Sequence, residues 1–148
     1  MKRKLLLAMA VTGAAMGMAC QKSVSDFADG TGPGSITVSN LAGTYTLKSL
    51  TLTYLGMTYN VYDSLPACEK DDYYKFNADM TVNYVDAGTV CVPPGDDNDT
   101  WLLRNDSLFI GSSTDGAKIS KFDGTTLQLT STPNNVAGAS SVTTLVKK

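Results

Sequence analysis

Leu41, Tyr45 and Leu47 share one parity along the chain, and Leu50, Leu52 and Tyr54 share the other. A period-two apolar pattern marks a strand with one buried face, and a change of phase near Ser49 calls for one extra residue, which a β-bulge supplies. The spacing therefore predicts a long, bent first strand. Met57 to Tyr62 continues as a second strand, followed by a loop through Pro66 to Cys68. Tyr74 and Phe76 alternate with Tyr73 and Lys75, Asn77-Ala78-Asp79 turns the chain, and Met80 to Tyr84 returns as the second half of a hairpin. After Cys91, the run from Val92 through Pro93-Pro94-Gly95 to Asp99 has the composition of a loop. Trp101 to Leu103 and Leu108 to Ile110 flank a tight turn at Asn105-Asp106. Lys118 to Phe122 and Leu127 to Leu129 flank Asp123-Gly124, a strong hairpin signal, and Val142 to Val146 is the last strand. The pattern predicts an all-β, antiparallel up-and-down meander of eight or nine strands. Such a meander closes into a barrel because closure removes the exposed edges.

Composition supports that class. Thr and Tyr, which favour half-buried strands, are abundant, and the acidic residues are thirteen Asp against a single Glu, Glu69. Asp is a turn former and a poor residue for helix interiors. A chain of 148 residues is one domain with appendages.

Those appendages are at the start. Lys2-Arg3-Lys4 is a positive n-region, and the apolar run from Leu5 to Ala19 is short for a membrane span and suited to a secretory signal. Gly17-Met18-Ala19-Cys20 resembles the lipobox of bacterial lipoproteins, whose cysteine is diacylated and becomes the new N-terminus. The alternative is ordinary signal cleavage that leaves Cys20 as a free thiol. Residues 1–19 are thus expected to be a leader. Residues 20–40, rich in Gly, Ser, Thr and Asp, are expected to be a flexible tether, and residues 41–148 the folded domain. Removing the leader leaves nine Lys and Arg against fourteen Asp and Glu, a net charge of −5. This opposes nucleic-acid binding, which needs a basic face, so the expected partners are a membrane reached through lipid and a ligand or envelope protein.

Cys68 and Cys91 are the cysteines of the folded part. An exported pair reads as a disulfide, and two buried thiols are the alternative. No cofactor is expected. Zinc wants four clustered ligands, yet the chain has no His and no Cys-x-x-Cys. Asp96-Asp97-Asn98-Asp99 lacks the spacing, central Gly and terminal Glu of a calcium loop and reads as a solvated turn. Neighbouring Lys48-Ser49 and Ser120-Lys121 point to opposite faces of a strand, so neither pair is set up as nucleophile and base. No catalytic residue is assigned, and the chain is not expected to be an enzyme.

Leu41-Ala42-Gly43-Thr44-Tyr45-Thr46-Leu47 resembles the first-strand signature of lipocalin-like domains, with Tyr45 where that family carries Trp. Cys68, Asp71 to Phe76, Cys91 and Trp101-x-Leu103 extend the resemblance to the short lipocalin-like lipoproteins of Gram-negative bacteria. The resemblance implies a barrel anchored at the outer membrane, on its periplasmic face or at the cell surface, that binds a small hydrophobic ligand in a cup. Tyr45, Tyr59, Phe76, Tyr84 and Trp101 are the candidates to line that cup. An eight-stranded interior is only just wide enough for its own side chains or one small ligand. The same aromatics, with Phe109, would fill it in the alternative, a solid-cored module that docks another envelope protein.

Overall fold

The computed structural model describes residues 34–132 and 136–148. Nine strands follow one another: β1 Gly43–Tyr54, β2 Met57–Asn60, β3 Tyr73–Phe76, β4 Thr81–Val85, β5 Asp97–Arg104, β6 Ser107–Ile110, β7 Ala117–Phe122, β8 Thr126–Ser131 and β9 Ala139–Lys147. Every pairing is antiparallel, and β1 pairs with β9 as well as with β3, so β1 and β3 to β9 close an eight-stranded barrel. The ninth strand, β2, lies on the far half of β1, where the four-residue β3 no longer reaches. The register of β1 against β9 shifts between Leu47 and Ser49, the bulge expected from the change of apolar phase. A second shift, between Ile119 and Lys121, bends β7.

Two local expectations needed correction. The second strand stops at Asn60, because the Asn60 side chain accepts the amide N–H of Asp63 at 3.3 Å and caps a single helical turn, α2 Val61–Ser64. Another turn, α3 Ala67–Lys70, leads to β3. The loop after Cys91 also ends earlier than its composition suggests. Asp97 to Asp99 are strand residues, since Tyr84, Asn83 and Val82 of β4 supply the ladder opposite them. Pairing to a neighbour outweighs the low strand propensity of Asp.

One end of the barrel is sealed. A helical turn, α1 Val38–Leu41, is capped by Thr37, whose hydroxyl accepts the Asn40 amide N–H at 3.1 Å. Leu41 is buried, Ile36 and Val38 pack on the core, and the Tyr45 hydroxyl donates to the Leu41 carbonyl at 2.9 Å. Residues 36–40 therefore pack with the barrel, and any free tether ends before them. Above this plug Tyr45, Phe76 and Trp101 stack edge to face, with ring centroids 5.7 and 5.5 Å apart. The indole N–H of Trp101 donates to the Asn77 carbonyl at 3.0 Å, so the buried ring leaves no polar group unpaired. Leu47, Val82, Leu103, Leu108, Ile119, Leu127, Leu129 and Leu145 complete the core.

The opposite end is the mouth. Cys68 and Cys91 form the disulfide, with Cα atoms 5.3 Å apart, tying α3 to the long β4–β5 loop. Carboxylates fold that loop. Buried Asp86 accepts the amide N–H groups of Cys91 and Gly95. Buried Asp72 accepts the Ala87 N–H at 2.8 Å, and Asp71 the Thr89 N–H at 2.9 Å. Charge-assisted bonds of this kind hold a segment whose valines, Val90 and Val92, stay exposed.

Candidate functional site

Inward-facing residues change character along the barrel. Below, the aromatic stack is packed solid; above, the register places Tyr74, Tyr84 and Asp97 in one row across β3, β4 and β5. The next positions bring in Val82 and Asp99, opposite one another on β4 and β5. Tyr74, Val82, Tyr84, Asp97, Asp99 and Ile110 line a cup of about 170 Å³ open toward the mouth.

Each wall residue is held by its strand neighbours. Tyr74 and Tyr84 lie side by side with ring centroids 5.1 Å apart. The Tyr84 hydroxyl donates to Asp72, so its ring faces the cup while its polar end is anchored behind. Burial pushes both phenols above their ordinary range; Asp72 adds to the shift in each, through its charge and, for Tyr84, through the hydrogen bond as well. Both stay neutral at physiological pH. Asp97 and Asp99 each accept the next residue's backbone N–H with Oδ1, at 2.8 and 2.7 Å, which leaves Oδ2 without a further hydrogen-bond partner among the described residues. Gly111, at φ 63°, makes room for Asp99: a Cβ there would collide with the carboxylate.

The wall continues upward on the β1–β2 hairpin. Leu52 and Tyr54 of β1 pair with Tyr59 and Met57 of β2, so all four share the inward face, and all are exposed. Leu55 at the tip is 69 % exposed and has φ 50°, a left-handed conformation unusual for a leucine.

Sequence reasoning singled out five aromatics, and the fold distributes them. Tyr84 lines the cup. Tyr59 lies on the exposed hairpin, and Tyr45, Phe76 and Trp101 form the packed floor. Asp97, Asp99, Tyr74, Val82 and Ile110 were not assigned to a site. Their signal was available: 97 and 99 share the parity of Trp101 and Leu103, the inward residues of the same strand. Cys20 and the leader lie outside the described residues. Among those residues no group of three or more metal-ligating side chains comes together.

A second recess lies on the outer face at the sealed end, lined by Gly43, Thr44, Tyr73, Lys75, Lys147 and Lys148. Two of its cations are engaged within the protein. Lys147 donates to the Asn40 carbonyl at 2.7 Å and sits over the Tyr45 ring, and Lys148 sits over Tyr73. The cup is the better candidate.

Comparison with known proteins agrees with this architecture. The sequence model of the lipocalin-like domain family matches residues 41–129. No curated protein and no solved structure matches the chain.

Proposed function

Since the chain belongs to the lipocalin-like domain family, we propose that it is a binding protein, not an enzyme, which takes a small hydrophobic ligand at the mouth of its barrel while lipid on Cys20 holds it at the outer membrane. The observation that carries the binding reading is the change from a solid floor to the open cup between Tyr74, Tyr84 and Ile110. The hairpin face of Leu52, Tyr54, Met57 and Tyr59 supports the same reading, since it sets exposed apolar surface beside the opening.

The anchoring reading rests on the leader and on Gly17-Met18-Ala19-Cys20. Residues 34–41 join the barrel at its sealed end, so ligand would enter from the end away from the anchor. A second reading, docking of another envelope protein, is favoured by Val92, 97 % exposed on the disulfide-bonded loop, and by Leu55.

Native mass spectrometry of the mature, detergent-extracted protein tests the binding reading. We expect an additional mass that is lost on denaturation. Bare protein that also fails to take up added amphiphiles would transfer the assignment to the docking reading. For the anchor, Cys20→Ala expressed in a Gram-negative host is expected to move the protein to the soluble envelope fraction, and continued membrane association would overturn lipidation at this residue.

A further inference from the structure

The cup is small, and its walls differ in chemistry. Ligand pockets for drug-sized molecules run from roughly 300 to 1,000 Å³, whereas a cavity of about 150 Å³ accommodates a benzene ring. At about 170 Å³ the cup takes one end of a ligand, and the rest must lie outside it. The hairpin supplies the surface for that remainder: Leu52, Tyr54, Met57 and Tyr59 stand on the same inward face of the sheet, beyond the short β3 that carries Tyr74.

The charge in the cup has one sign. Tyr74 and Tyr84 contribute neutral phenol rings, and Val82 and Ile110 are apolar. Asp97 and Asp99 are two residues apart on one strand and so point the same way, about 7 Å apart along it. Among the described residues no ion pair joins Asp97 or Asp99 to a Lys or Arg; the ion pairs there are Lys118–Asp106 and Lys121–Asp123. Aromatic faces beside carboxylates favour a cation and oppose an anion. Gly111 keeps the space that Asp99 needs.

We propose that the ligand is a cationic amphiphile, an amine or quaternary ammonium head on an apolar chain, with the head in the cup against Asp97, Asp99, Tyr74 and Tyr84 and the chain along the hairpin. This assignment rests on the ligand-binding reading above and narrows it: carboxylate-headed ligands are excluded by the same two aspartates.

Three probes with a common ten-carbon chain, each below its micelle concentration, test the proposal by calorimetric titration of the mature protein: decyltrimethylammonium, decanol and decanoate. Decyltrimethylammonium is expected to bind at least about tenfold more tightly than decanol, with decanoate weakest. Asp97→Asn/Asp99→Asn should reduce the preference for the cation over decanol to within about twofold; both substitutions lie on the exposed end of β5 and preserve volume. Equal affinities for the three probes, a preference for decanoate, or a cation preference that survives the double substitution would each overturn the cationic assignment and leave ligand binding standing. If none of the three binds, the binding reading fails with it.

Discussion

Asp86 shows how much a single side chain does here. Its carboxylate is buried and takes the N–H groups of Cys91 and Gly95, donors in a loop that no strand pairs. Asp86→Ala leaves those part-buried donors without their acceptor. The expected loss is about 2–3 kcal/mol, measured by urea unfolding, because bonds to a charged acceptor are worth more than neutral ones. Tyr45 is the counterpart at the sealed end. Tyr45→Phe keeps the ring stack and removes the bond to the Leu41 carbonyl, so a loss of about 1 kcal/mol is expected, with faster hydrogen exchange in α1. Both aspartates of the cup were legible as inward residues once Asp97 to Asp99 were counted with the strand of Trp101. Asp-rich composition obscured this, since it argues for a turn until the facing strand is known.

Among the elements, the β1–β2 hairpin and the β4–β5 loop set the mouth. Leu55-Gly56 has positive φ at both positions, the conformation of a two-residue hairpin turn that Asn-Gly adopts most readily. Leu55→Asn is therefore expected to raise stability by about 0.5–1 kcal/mol in thermal unfolding, since Asn tolerates the left-handed region better than Leu. That a strained, exposed leucine stands there accords with an apolar hairpin that serves binding. The disulfide closes a sequence separation of 23. Replacing Cys68 and Cys91 by Ala is expected to cost about 3 kcal/mol through the entropy of the unfolded chain. In hydrogen exchange the added exposure should concentrate in α3 and residues 86–96, with the aromatic floor protected. Uniform loss of protection would mean that the staple supports the whole barrel.

The whole molecule couples these parts to pH from both directions. The Asp79, Asp106 and Asp123 carboxyls are held below their ordinary range, chiefly by hydrogen bonds: from Thr81 for Asp79, from Lys118 for Asp106, and from the Thr126 and Thr125 amides for Asp123. Their stabilisation is present at neutral pH and lost as pH falls below about 4, through the lower native values. The Tyr45 phenol is pushed by burial from 10 up to about 12, and Tyr74 and Tyr84 are raised as well. An unfolded chain releases those protons first, so stability should decline as pH rises from 10 toward 12. Unfolding midpoints across pH, with phenolate absorbance as a second signal, check both limbs. A midpoint unchanged across either limb would show that these groups titrate alike in the folded and unfolded chain. Local alternation and turn residues were enough to establish the class of fold, the bulge in β1 and the order of the hairpins, because side-chain parity and turn geometry are properties of neighbouring residues, while the cysteine pair was legible from the export signal. The size of the cup, the stacking of Tyr45, Phe76 and Trp101 into a floor, and the meeting of Tyr74, Tyr84, Asp97 and Asp99 depend on how β1 closes against β9 and how β4 aligns with β5. Those contacts join residues far apart in the chain, and their register is set by packing the whole interior at once.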